Sequence, residues 1–224
     1  MKNLLFSFIF LSVLLSSCAS QKGKNKPYAC GRVFTKKEIK ESFATLAGLL
    51  ELKPGDAFAD VGSQNGAVPV MLSSLVDSLE VYVQDIDTAC LSEQELGKVL
   101  AYYSKLTEKP LRENSSFQIA IGTYTQTNLP AGYFDVIYTN ATYHVIEDKE
   151  AVMNDIFTKL KDDGHFFVRD EFVEEGEVKI CPGEDCGVPF ASEKELLSQM
   201  EKSGFKLVQK WDDFSGYPVY KFGK

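Results

Sequence analysis

A chain of 224 residues, 44% hydrophobic and 25% charged, is long enough for one domain with its own core, with room for appendages. Its formal charge of -8 argues against DNA or RNA as a partner, because a nucleic-acid binder presents a basic face.

The first twenty residues, MKNLLFSFIFLSVLLSSCAS, depart from the globular pattern. One lysine precedes an apolar stretch from Leu4 to Leu15, and small residues follow. The stretch is short for a membrane span and has the layout of a signal peptide, expected over residues 1–17, with a buried or anchoring helix as the alternative. The tetrapeptide LSSC, ending at Cys18, resembles the bacterial lipobox. That resemblance implies lipidation of Cys18 and an exported lipoprotein, held at the membrane on its periplasmic face or at the cell surface by more than one acyl chain. Residues 18–34 are polar and carry Lys22, Lys24 and Lys26, so they read as a flexible tether with an average reach of about 20–25 Å. The lysines either touch anionic headgroups or only keep the tether soluble.

Export places the remaining cysteines, Cys30, Cys90, Cys181 and Cys186, where bridges form. CPGEDC closes a short loop, which makes Cys181–Cys186 the first candidate disulfide and Cys30 paired with either of them the variant. Zinc is the weaker reading, because a structural site needs four ligands and the chain has only His144 and His165 to add. No metal is expected.

The body, residues 35–224, opens on a capping box, Thr35 with Glu38, followed by Ile39, Phe43, Leu46 and Leu50 at helical spacing. AFADVG is a short strand ending in a glycine loop, and AVPVMLSSL a helix with Pro69 tolerated in its first turn. The unit repeats with LEVYVQDID as strand, TACLSEQELGKVLAYYSKL as helix and SFQIAIG as strand. YFDVIYTN, DKEAVMNDIFTKL and GHFFVRD give strand, helix and strand. An irregular stretch from about Glu171 to Ala191 leads to a second capping box, Ser192 with Glu195, on the helix SEKELLSQMEKSG. FKLVQKW and YPVYKF close the chain as a hairpin. Alternating strands and helices predict a parallel sheet covered on both faces, with ligand beyond the carboxyl ends of the strands.

LELKPGDAFADVGSQNGAVPV, VYVQDID, FDVIYTNATYHVIED and LKDDGHFFV resemble the blocks of class I S-adenosylmethionine-dependent methyltransferases, over nearly everything after Thr35. The resemblance implies an α/β fold, a Rossmann-like, doubly wound, mostly parallel seven-stranded sheet with a C-terminal antiparallel hairpin. It also implies S-adenosylmethionine as cofactor and a small-molecule methyl acceptor. Asp60, Gly62 and Gly66 would form the loop beneath the methionine part, with backbone contacts from Ser63, Gln64 and Asn65. Asp85 would hold the ribose hydroxyls, Ile86 would flank the adenine, and Gly122, Thr123 and Tyr124 would lie near its edge. Asn140 would face the methyl group, with Tyr143 and His144 on the following turn.

Two departures stand out: Gln64 replaces the family's middle glycine, and Thr123 stands where an acid often meets the adenine amine. Plainer roles remain open beside these. Asp85 can cap the next helix, with Asp87 as a second acid; His144 can position rather than take a proton; Asn140 and Tyr143 can serve turn and packing. A non-catalytic lipoprotein that binds a nucleoside-like ligand or a protein partner through the same fold is the rival to the enzyme.

Overall fold

The computed structural model describes residues 26–182 and 186–224. The expected signal peptide, Cys18 and residues 18–25 of the tether lie outside the described residues, among which no helix is long and apolar enough to cross a membrane.

The strands are β1 (Ala57–Val61), β2 (Glu80–Asp85), β3 (Ser116–Ile121), β4 (Phe134–Asn140), β5 (Leu160–Arg169), β6 (Lys206–Phe214) and β7 (Tyr217–Gly223). They form one seven-stranded sheet in the order β3-β2-β1-β4-β5-β7-β6. β1 to β5 run parallel; β7 is antiparallel to both β5 and β6. The strand order therefore reverses between β1 and β4, which places a crevice beyond their carboxyl ends. The two-residue turn from β6 to β7 holds Ser215 and Gly216, both at positive φ, the backbone that a tight hairpin requires.

The first helix, α1, is composite: a turn at Lys36–Glu38, a π-helical stretch at Ile39–Phe43 and a last segment at Ala44–Leu49. Its capping box forms as the sequence predicts, with Thr35 Oγ1 accepting from the Glu38 amide. α2 (Ala67–Ser73), α3 (Glu93–Thr107), the short α4 (Leu111–Asn114), α5 (Lys149–Lys159) and α6 (Glu193–Lys202) follow. A 3-10 turn, Tyr143–Val145, sits between β4 and α5. The sequence blocks match these elements in kind and order, while several bounds move. β5 begins at Leu160 rather than at the glycine, α3 begins at Glu93 rather than at Thr88, β6 runs on to Phe214, and α4 occupies a stretch with no helical period long enough to see.

Each sheet face carries its own apolar layer. Phe58, Val81, Val83, Tyr138 and Phe167 meet α1, α2 and α3; Ala59, Ile137, Phe166, Val168 and Phe222 meet α5 and α6. Adjacent strand residues fall in opposite layers, as the pleat dictates.

The end of the expected tether is not a free coil. Tyr28 is 3% exposed, and its hydroxyl lies 2.7 Å from that of Tyr103, which also accepts from the Phe34 amide. A disulfide joins Cys30 to Cys90, with the Cα atoms 5.6 Å apart. Residues 26–34 thus form a strap over the body, held by a buried aromatic ring and a half-cystine. Cys30 pairs neither with Cys181 nor with Cys186; those two are joined to each other.

Candidate cofactor and acceptor site

The loop after β1 is held by β2. The amides of Gly62 and Ser63 and the Ser63 hydroxyl all donate to the Gln84 carbonyl at 3.0 Å. Gln64 stands at φ +54, in the left-handed region, and its amide donates to Asp85 Oδ2 at 2.6 Å. Asp85 Oδ1 accepts from the amides of Ile86 and Asp87 at 2.7 and 2.9 Å. An ionised carboxylate has about four acceptor positions. Three backbone amides leave Asp85 one, on Oδ2, so the acid pins the loop and still has a position for a ligand hydroxyl.

The glycines have a tighter duty than expected. A Cβ on Gly62, at φ +77, would lie 2.3 Å from the Thr142 side chain, and one on Gly122 would lie 2.4 Å from Gln84 Nε2. Both are required by neighbouring protein, where the sequence reading gave the glycines to the ligand.

A cavity of about 730 Å3 opens beyond the carboxyl ends of β1, β2 and β4, within the range of small-molecule sites. Of the expected residues, Gly62, Gln64, Asp85, Ile86, Thr123, Tyr124 and His144 line it. Ile86 and Tyr124 are 45% and 62% exposed and offer apolar surface to a flat ring. Thr123 Oγ1 accepts from the Gln126 amide at 3.1 Å and closes a turn, which accounts for a hydroxyl in that place.

Other expected residues lie behind the wall. Ser63 is spent on β2. Asn65 is buried, its Nδ2 donating to the carbonyls of Ala29 and Cys30 and its Oδ1 accepting from the Ala67 amide, so it fastens the strap to the loop. Gly66 caps α2 in the left-handed conformation and packs against Val83 and Leu96. Asp60 is 2% exposed; burial holds its carboxyl well above the usual carboxylate range, and the charge of Asp85 adds to the effect.

Two of the three residues expected at the methyl group are elsewhere. Asn140 shares the sheet face of Tyr138, two residues earlier, and its Oδ1 accepts from Arg169 Nη1 at 2.7 Å and from the Tyr138 hydroxyl at 3.2 Å. It lines a separate cavity of about 340 Å3 beside α1 and the β6–β7 hairpin. Tyr143 is 1% exposed, its ring packed against Phe172 and the Lys149 ammonium. Ala141, at φ +51, turns the chain after β4, and Thr142 and His144 reach the cavity instead.

His144 is fixed by Asp170, a residue the sequence reading did not single out although it ends the GHFFVRD block. Buried Asp170 takes the His144 amide at 3.0 Å and Nδ1 at 2.9 Å. A carboxylate only accepts, so Nδ1 carries the proton and Nε2 is the free acceptor. Nε2 lies 3.4 Å from Cys186 Sγ, and Cys90, Cys181 and Cys186 all reach the cavity wall.

A doubly wound sheet with a carboxylate-pinned glycine loop at its switch point defines an α/β protein of Rossmann-like architecture. More narrowly, the chain belongs to the methyltransferase domain family, whose profile matches residues 32–210. No curated protein matches it significantly. Among solved structures it is similar to a SAM-dependent methyltransferase from Aquifex aeolicus, at 18% identity and TM-score 0.59 over 85% of this chain and 98% of that one. An S-adenosylmethionine-dependent methyltransferase from Mesorhizobium loti aligns at 13% identity and TM-score 0.60, over 83% of this chain and 100% of that one. The [4+2]-cyclase SpnF aligns at 13% identity and TM-score 0.61, over 88% and 89%. At these identities the structural likeness establishes the fold.

Proposed function

We propose that the protein transfers the methyl group of S-adenosylmethionine to a small acceptor bound beside His144. The observation that carries the reading is one cavity lined both by Asp85, with its spare acceptor position, and by the Asp170-fixed His144. The residues fit the cofactor: a carboxylate for a ribose diol, Ile86 and Tyr124 for a base, and a loop whose amides are already ordered. When bound, the cofactor supplies an electrophilic methyl on a sulfonium. The chain's own residues bind and align. Asp85 accepts from one hydroxyl of the diol, Thr142 and Gly62 set the floor, and His144 Nε2 accepts a hydrogen bond from a hydroxyl or thiol and holds it in line, which lowers the barrier to displacement by orienting the reactants.

We further propose that the protein works outside the cytosol, anchored through Cys18. The LSSC sequence and the two disulfides, Cys30–Cys90 and Cys181–Cys186, support that reading, since bridges persist in oxidising compartments. Fatty-acid labelling of wild type against Cys18→Ser tests the anchor; equal labelling would remove it. Calorimetry with S-adenosylmethionine and its demethylated product tests the site. No binding by wild type or by Gln64→Gly would overturn methyl transfer and favour a non-catalytic role for the fold.

A further inference from the structure

The ligating atoms of His144, Cys181 and Cys186 lie within 4.8 Å of one another on the wall of the cofactor cavity. Ligand atoms on a tetrahedral zinc, at about 2.0 Å for nitrogen and 2.3 Å for sulfur, stand about 3.5 Å apart. The 3.4 Å between His144 Nε2 and Cys186 Sγ already has that spacing. The two cysteines sit at the tip of a short ladder, with the Cys181 amide donating to the Val188 carbonyl at 2.9 Å and the Phe190 amide to the Lys179 carbonyl at 3.0 Å. The ladder anchors the backbone of Cys181 beside Val188, two residues from Cys186.

The histidine is prepared in the way a metal ligand is. Its Nδ1–H donates to a buried carboxylate, which fixes the tautomer and the ring orientation, and its ring packs 4.7 Å from Phe190. Asp170 also holds the His144 and Glu171 amides, so this orientation does not depend on the state of the cysteines.

We infer that, once the Cys181–Cys186 bond is reduced, both thiolates and His144 Nε2 bind a thiophilic divalent cation of the zinc class, its fourth position open to the cofactor cavity. A dithiol reductant delivers two electrons and two protons to the sulfur–sulfur bond and leaves as its own disulfide. The cation then displaces the two thiol protons. Three protein ligands with an open position is the arrangement of a catalytic rather than a structural zinc site, and the cavity supplies the fourth partner that the sequence lacks. The site is redox-gated: the disulfide withdraws both sulfurs at once.

Cobalt(II) titration of the protein, reduced with a phosphine and then freed of it, tests this without reference to methyl transfer. The expected result is one ion per chain with a thiolate-to-cobalt charge-transfer band, displaced by zinc and absent from the oxidised protein. Cys181→Ser and Cys186→Ser should each remove the band, and Asp170→Asn should weaken binding about 10- to 100-fold. The reference variant Cys181→Ser/Cys186→Ser keeps Cys30 and Cys90 and so accounts for any ion held there. If it binds cobalt with the affinity and spectrum of reduced wild type, or if oxidised wild type does, the site does not exist. Because S-adenosylmethionine affinity is measured separately on the metal-free protein, failure of one reading leaves the other standing. Should Asp170→Asn not fold, the half-exposed cysteines still decide the matter.

Discussion

Asp60 has the most to gain from losing its charge. Its carboxyl is held above the ordinary range by burial and by Asp85, so the folded state binds its proton more tightly than the unfolded chain does. The resulting penalty is absent below the unfolded value of about 3.9, grows as pH rises toward the folded value, and is complete above it. Asp60→Asn should therefore raise Tm at pH 7, by roughly 2–4 °C for each kcal/mol recovered, and the gain should vanish near pH 3. Thermal melts of the two proteins across that range check both parts, and a gain that persists at pH 3 would point to packing instead of charge. Gln64 is a second residue-scale case. Its side chain forms part of the cavity wall, and its left-handed backbone is what a glycine adopts freely. Gln64→Gly should tighten S-adenosylmethionine a few-fold to tenfold, about 1 kcal/mol. Asp85→Ala should weaken it roughly 10- to 100-fold, the worth of a charge-assisted hydrogen bond, with some further loss because Gln64 is no longer pinned. Calorimetry in one buffer gives both values.

The strap of residues 26–34 behaves as an element although it has no regular secondary structure. It is tied at four places: Tyr28 on Tyr103, the Ala29 amide on Glu95 Oε2, Asn65 on the carbonyls of Ala29 and Cys30, and Cys30 on Cys90. The disulfide closes a loop 60 residues apart in sequence, which constrains the unfolded chain by about 2–4 kcal/mol. Cys30→Ser/Cys90→Ser should lower Tm by about 5–15 °C. Since Cys90 and Gln64 both line the cavity, the same variant should also weaken cofactor binding. A variant that melts lower but binds unchanged would show that the strap stabilises the body without shaping the site.

At the scale of the whole molecule, the parallel sheet and its cavity are one object, because the wall is made of the ends of strands far apart in sequence. Binding there should stabilise the entire body. S-adenosylmethionine at 100 times its dissociation constant adds about 2.7 kcal/mol, which corresponds to an increase in Tm of about 5–10 °C. A shift of that size in wild type and its loss in Asp85→Ala, followed by scanning calorimetry, would tie the cofactor to this cavity rather than to the smaller one beside Asn140.

The sequence by itself determined the order of strands and helices, the capping boxes at Thr35 and Ser192, the hairpin at the end, and the loop DVGSQNG with Asp85 following it. Each of these is written in local periodicity, in cap residues or in short spacing, where neighbouring side chains decide the outcome. Only the tertiary structure decided which side of the strand Asn140 takes, that Tyr143 is buried, that Asp170 holds His144, and that Cys30 finds Cys90. Those outcomes turn on contacts between segments 26 to 60 residues apart, and, for the turn after β4, on one left-handed residue, Ala141. No periodic signal spans such distances; they are settled by which face of the sheet each chain segment comes to cover.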